Sequence, residues 1–162
     1  MFVIAFLGVT ALCCAVHLFI KRKKWSSRML VDVLLLYVLL INVGLAGLLA
    51  FYGHAFRSDQ VAASIGWAAG SPFQLEVAMT NLAFGVLGVL CIFFREEFWL
   101  ATGIGYAVFL FGAAFVHLRE IISAGNYAIN NAGPILYIGD IAIPLLILVL
   151  LLIKWRMKPS GV

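Results

Sequence analysis

Five apolar runs, at residues 2–20, 29–51, 73–94, 98–118 and 135–153, are separated by short polar stretches. Each approaches the roughly 20 helical residues needed to cross a hydrocarbon core. Backbone amides in lipid must bond within their own segment, so helices are the default, and five such spans exclude a barrel. The pattern predicts an all-α membrane protein, a bundle of five transmembrane helices. Runs two to five should form a four-helix core, with the N-terminal span packed beside it. Without an internal repeat or a low-complexity linker, residues 1–162 read as a single integral membrane domain.

The polar stretches add local detail. Residues 58–70 are rich in small side chains; Ser58 or Asp59 can cap a short helix lying at the membrane surface, and Trp67 suits the interface. Ser71 as N-cap, Pro72 as first helical residue and Gln74 two further on form a capping box for span three. Asparagines and glycines at 121–133 predict turns and caps before span five. Within the spans, Gly44, Gly47, Gly85, Gly88, Gly103, Gly105 and Gly112 predict close helix packing.

Composition agrees with this reading. The chain is 65% hydrophobic with a mean hydropathy of +1.12, so lipid must be the solvent for most of its surface. The net charge of +4 does not imply nucleic acid, because the cations sit at the ends of apolar runs. Lys21, Arg22, Lys23, Lys24 and Arg28, then Arg95, then Lys154, Arg156 and Lys158 all fall on one side of the predicted bundle. Only Arg57 and Arg119 fall on the other. This positive-inside bias places the N-terminus outside and the C-terminus in the cytoplasm. No basic residue precedes residues 2–20 and no small-residue cleavage site follows, so that run reads as a retained span. Cys13, Cys14 and Cys91 lie in apolar runs and form no disulfide framework. Cys13 and Cys14 resemble the vicinal pair of small mercury transporters but lack a second pair for a relay.

Ionisable groups inside so apolar a chain are costly, and they gather near the predicted outer face. Glu76 lies about 6 Å into span three at the helical rise of 1.5 Å per residue. His117 and Glu120 are three apart on one face of span four, a spacing that permits shared ligation or a carboxylate orienting an imidazole. Asp140 lies about two turns into span five, and Pro144, four residues on, removes the N–H that its carbonyl would accept. Broken backbone inside a membrane normally lines a cavity or is buried in protein. Glu76, His117, Glu120 and Asp140 are therefore the candidate ligand-binding or ion-binding set. Gln74, Asn81, Arg119, Asn131 and Pro144 support them, and His54 stands near the water with Arg57. Asn42 reads as interhelical hydrogen-bonding glue, and Asp32 as the i,i+4 partner of Arg28. No phosphate loop, GxSxG elbow, HExxH or dinucleotide fingerprint is found. No catalytic residue, metal or cofactor is assigned.

The segments Ser71-Pro72-Phe73-Gln74-x-Glu76, Asn81-Leu82-x-Phe84-Gly85 and Phe98-Trp99-x-Ala101-Thr102 resemble a family of uncharacterised small multi-pass prokaryotic membrane proteins. His117-x-x-Glu120, Gly125-Asn126-Tyr127-Ala128, Asn131-Ala132-Gly133 and Asp140-x-x-x-Pro144 fit it too, so that the resemblance covers about residues 70–150. A fainter similarity is to DoxX-like proteins, some of which are membrane subunits of quinone-linked oxidoreductases. Three readings stay open. On the first, the outer cluster binds or transports a cation or protons; on the second, it serves an enzyme or enzyme subunit acting near a quinone or lipid headgroup, with His117 carrying the proton; on the third, it is structural, Arg57 and Arg119 pairing with Glu76 and Asp140. The partners implied are the bilayer, a cation, quinone or lipid ligand, and a second copy of the chain in a homo-oligomer.

Overall fold

The computed structural model describes residues 2–157; Lys158 of the basic tail lies outside them. Among the described residues there are six helices and no strand. They are α1 (Phe2–Ile20), α2 (Ser27–Phe56), the short α3 (Ser58–Ile65), α4 (Phe73–Leu90), α5 (Glu97–Ala124) and α6 (Ile135–Arg156). All but α3 are long and apolar enough to cross a membrane.

Helix ends depart from the apolar runs where backbone chemistry, not hydropathy, sets the stop. α2 begins behind Ser26, whose hydroxyl accepts from Met29 N at 3.1 Å. It continues five residues past the predicted end through Tyr52, His54 and Phe56. α5 runs to Ala124 and stops where Gly125 takes a left-handed conformation (φ 61°). His117 thus lies two turns inside a helix and not at its mouth. α4 ends early, at Leu90, and the chain turns back through residues 91–96; the Trp99 indole donates to Cys91 O at 2.8 Å and pins that turn.

Two spans contain wide π-helical stretches, Val38–Leu45 in α2 and Ile135–Ala142 in α6. The second accounts for Asp140 and Pro144. Proline offers no N–H, and the preceding segment has already opened to the i→i+5 register, with Ile143 N bonded to Ile138 O. The predicted kink is therefore a local widening that turns Asp140 inward.

α2 is the most buried span and α1 the least. The α2–α4 crossing is built on glycine. A Cβ at Gly47 would lie 3.0 Å from Gly85 Cα and from Asn81 O, and one at Gly88 would enter the backbone of Gly44. The packing role expected of these glycines is what the geometry shows. Elsewhere Leu35, Leu39, Trp99, Tyr106 and Ile147 fill the core between α2, α5 and α6.

At the basic end, Lys154 of α6 is buried and bonds Asp32 of α2 at 2.5 Å and Glu96 at 3.0 Å. Its ammonium also lies 5.3 Å from the centroid of the Trp99 ring. This corrects the expected Arg28–Asp32 pair. Asp32 faces α6, and Arg28 lies instead 3.8 Å from Glu96. The 20–28 loop, the turn at 91–96 and the end of α6 therefore meet at one end of the bundle. The largely apolar cavity lies towards the other.

Candidate functional site

Long-range hydrogen bonds shape the non-basic end. The α5–α6 loop is stitched to α3: Asn126 Nδ2 donates to Ile65 O at 2.9 Å, and Asn130 donates through its backbone N to Ser64 O (3.2 Å) and through Nδ2 to Ser64 Oγ (2.9 Å). The asparagines read as turn formers thus also clamp the surface helix across the bundle. Asp59 belongs to the next turn, where it accepts from Gly70 N at 3.2 Å.

Beneath this cover lies a cavity of about 770 Å³. Its walls come from the first turns of α1, the second half of α2, α3, the first half of α4, the second half of α5 and the start of α6. They are mostly apolar, including Phe6, Leu49, Val77 and Phe109, with polar groups at restricted places.

His117 and Asp140 meet at one wall. His117 Nε2 stands 3.7 Å from Asp140 Oδ2, and both side chains are about nine-tenths buried. Asn131 holds the other side of the imidazole, its Oδ1 2.7 Å from His117 Nδ1. Trp67 stacks on the His117 ring, centroids 5.9 Å apart and planes 18° from parallel. Trp67, half-buried, is therefore part of the cavity wall.

A second polar pair lines the cavity from α2 and α4. His54 Nδ1 lies 2.6 Å from Gln74 Oε1. Two expectations are corrected here. Gln74 does not complete a capping box, since α4 begins at Phe73 with no side-chain cap at Pro72; Ser71 Oγ accepts only from Phe73 N, at 3.3 Å. His54 does not stand in water but is half-buried against Gln74. Deeper in, Asn42 Nδ2 donates to Thr10 Oγ1 at 2.8 Å and its backbone carbonyl accepts from Tyr106 Oη at 3.1 Å, so it joins α1, α2 and α5 as expected. Asn81 lines the same cavity and donates to Val77 O at 2.9 Å.

Of the four residues selected from the sequence, the structure brings together His117 and Asp140. Glu76 is exposed on α4 and Glu120 half-buried on α5, and neither lines the cavity. Arg119 is exposed; Arg57 is exposed at the cavity rim. Among the described residues no ion pair joins Arg57 or Arg119 to Glu76 or Asp140. Pro144 is buried one turn beyond Asp140. Among the described residues no three His, Cys, Asp or Glu side chains are grouped as a metal would need. Trp67, His54 and Tyr106 are cavity residues that sequence reasoning did not place there. A tryptophan in a small-residue segment and a histidine at a span's end carry no periodic signal of their burial; only pairing with residues far along the chain reveals it.

Residues 1–160 match the model of a family described as a family of unknown function, DUF6790. No curated protein matches the chain, and no solved structure does.

Proposed function

From the premise that the chain belongs to the DUF6790 family, whose description carries no activity, we propose that it is an intramembrane binding protein for a small molecule with an apolar body and a polar head. One observation carries this reading. A cavity of about 770 Å³, mostly apolar, has among its polar lining two close side-chain pairs, His54 with Gln74 and His117 with Asp140. Ligand sites are typically concave and apolar, with a few placed polar groups.

The cation reading narrows accordingly. A bare metal ion generally takes four or more donors, whereas His117 and Asp140 offer one close pair. A quinone or lipid headgroup fits the same lining, with His117 as the group nearest a proton-carrying role. We read the bundle as one domain of a prokaryotic inner membrane, its four-helix core flanked by α1. The basic end then faces the cytoplasm and the cavity lies in the outer leaflet. The gathering of Arg28, Arg95 and Lys154 at one end supports this orientation.

Ala113 lines the cavity, so Ala113→Trp should fill part of it. Protein taken from membranes in polymer nanodiscs should carry an apolar species, seen by mass spectrometry after solvent extraction, that is depleted in Ala113→Trp. Identical extracts from the two proteins would remove the case for a ligand.

A further inference from the structure

The hydrogen-bond pattern specifies what the polar head must offer, given the binding role proposed above. Asn131 Nδ2 donates to Asn126 O at 2.7 Å and to His117 O at 3.4 Å. The amide is thereby oriented with Oδ1 towards the imidazole, 2.7 Å from His117 Nδ1. An amide oxygen only accepts, so Nδ1 carries the hydrogen and, in the neutral ring, Nε2 is a bare acceptor. Nε2 faces Asp140 Oδ2 across 3.7 Å. That gap is too long for a hydrogen bond. Among the described residues Oδ2 has no hydrogen-bond partner, although Asp140 is only 6% exposed.

A second wall repeats the pattern. Asn42 is 2% exposed, its Nδ2 is engaged by Thr10, and its Oδ1 has no partner among the described residues. Buried acceptors are normally satisfied. Here Asp140 and Asn42, both residues of one cavity, hold acceptors without a partner among the described residues, and the His117 ring turns Nε2 towards Asp140 beside them. The ligand must therefore bring hydrogens rather than lone pairs.

We propose that the cavity binds a protonated amine with an apolar body, its N–H groups shared between Asp140 Oδ2 and His117 Nε2. A hydroxyl offers one donor and no charge. An ammonium offers several, together with the positive charge that a buried carboxylate requires. The aromatic rings of Trp67, Tyr106 and Phe109 line the same space and suit both a cation and an apolar body. Arg57, the other charged residue of the lining, is exposed at the rim, where water and salt screen it.

The test is saturable binding of tritiated phenylbutylamine to the full chain in nanodiscs of zwitterionic lipid at neutral pH. Phenylbutanol, of matched shape, serves as competitor. Wild-type protein should prefer the amine by about ten-fold or more, as a charge-assisted contact implies. Asp140→Asn should erase that preference while holding the alcohol as before. If Asp140→Asn does not fold, the wild-type preference alone decides. Equal affinity for amine and alcohol, both lost in Ala113→Trp, overturns the ammonium head and leaves the cavity as a ligand site. No saturable binding of either probe, with identical lipid extracts from wild type and Ala113→Trp, overturns both.

Discussion

Asn131 holds His117 in one tautomer and one orientation, and in doing so occupies its own donors and acceptor with groups of the same loop and helix. It is wholly buried. Asn131→Ala should cost about 1–3 kcal/mol, since His117 Nδ1 and Asn126 O would each lose a buried partner. Thermal unfolding in detergent measures this, and an unchanged midpoint would show the network to be incidental. Gln74 teaches the converse. Its position after Ser71 and Pro72 matches a capping box, yet its amide is taken by His54 across twenty residues of chain. A local motif states what a side chain is able to do. Which offer it accepts depends on what the tertiary structure brings within 3 Å.

Among the elements, α2 and α6 stand out because each contains a π-helical stretch, and each stretch holds a buried polar residue of the cavity, Asn42 and Asp140. A wide turn loosens the regular backbone pattern and redirects side chains, a device common at functional sites. The α2–α4 crossing passes beside Asn81, a cavity residue, and glycine at 44, 47, 85 and 88 lets the backbones approach. Gly88→Leu would push a side chain into the backbone of Gly44 and should destabilise the bundle by about 1–3 kcal/mol or more, the usual effect of overpacking. Size-exclusion profiles and melting in detergent report it; a monodisperse variant melting like wild type would contradict the crossing. The glycines were legible in the sequence as small residues on apolar spans. The π-helical stretches were not, apart from the hint of Pro144, because no residue pattern encodes a one-residue insertion in a helical turn.

Over the whole molecule, the two ends differ in chemistry. The basic end is tied by Lys154, whose buried ammonium serves Asp32 on α2 and Glu96 before α5. Lys154→Met should cost about 1–3 kcal/mol, the scale of hydrogen bonds to charged groups. The carboxylates are 29% and 39% exposed and partly recover in water, which limits the loss. Chemical unfolding of the reconstituted protein checks it. Orientation is tested by single cysteines in a cysteine-free background. A membrane-impermeant maleimide should label Asp59→Cys in intact cells and Arg95→Cys only after permeabilisation; the opposite pattern would invert the proposed topology.

The five long apolar helices, the short helix between the second and third of them and the segregation of Lys and Arg were readable from residue order alone, because lipid demands continuous apolar helices and backbone bonds closed within each segment. Sequence could also mark Asp140 and His117 as costly inside such spans. It could not tell that Glu76 stays exposed on α4, or that Trp67, His54 and Tyr106 line the cavity with them. Those outcomes depend on helix rotation and on bonds between residues up to 66 positions apart, as from Asn130 to Ser64. Hydropathy is a property of each segment by itself. A cavity exists only where several segments fail to fill the space between them, so the packed bundle alone decided it.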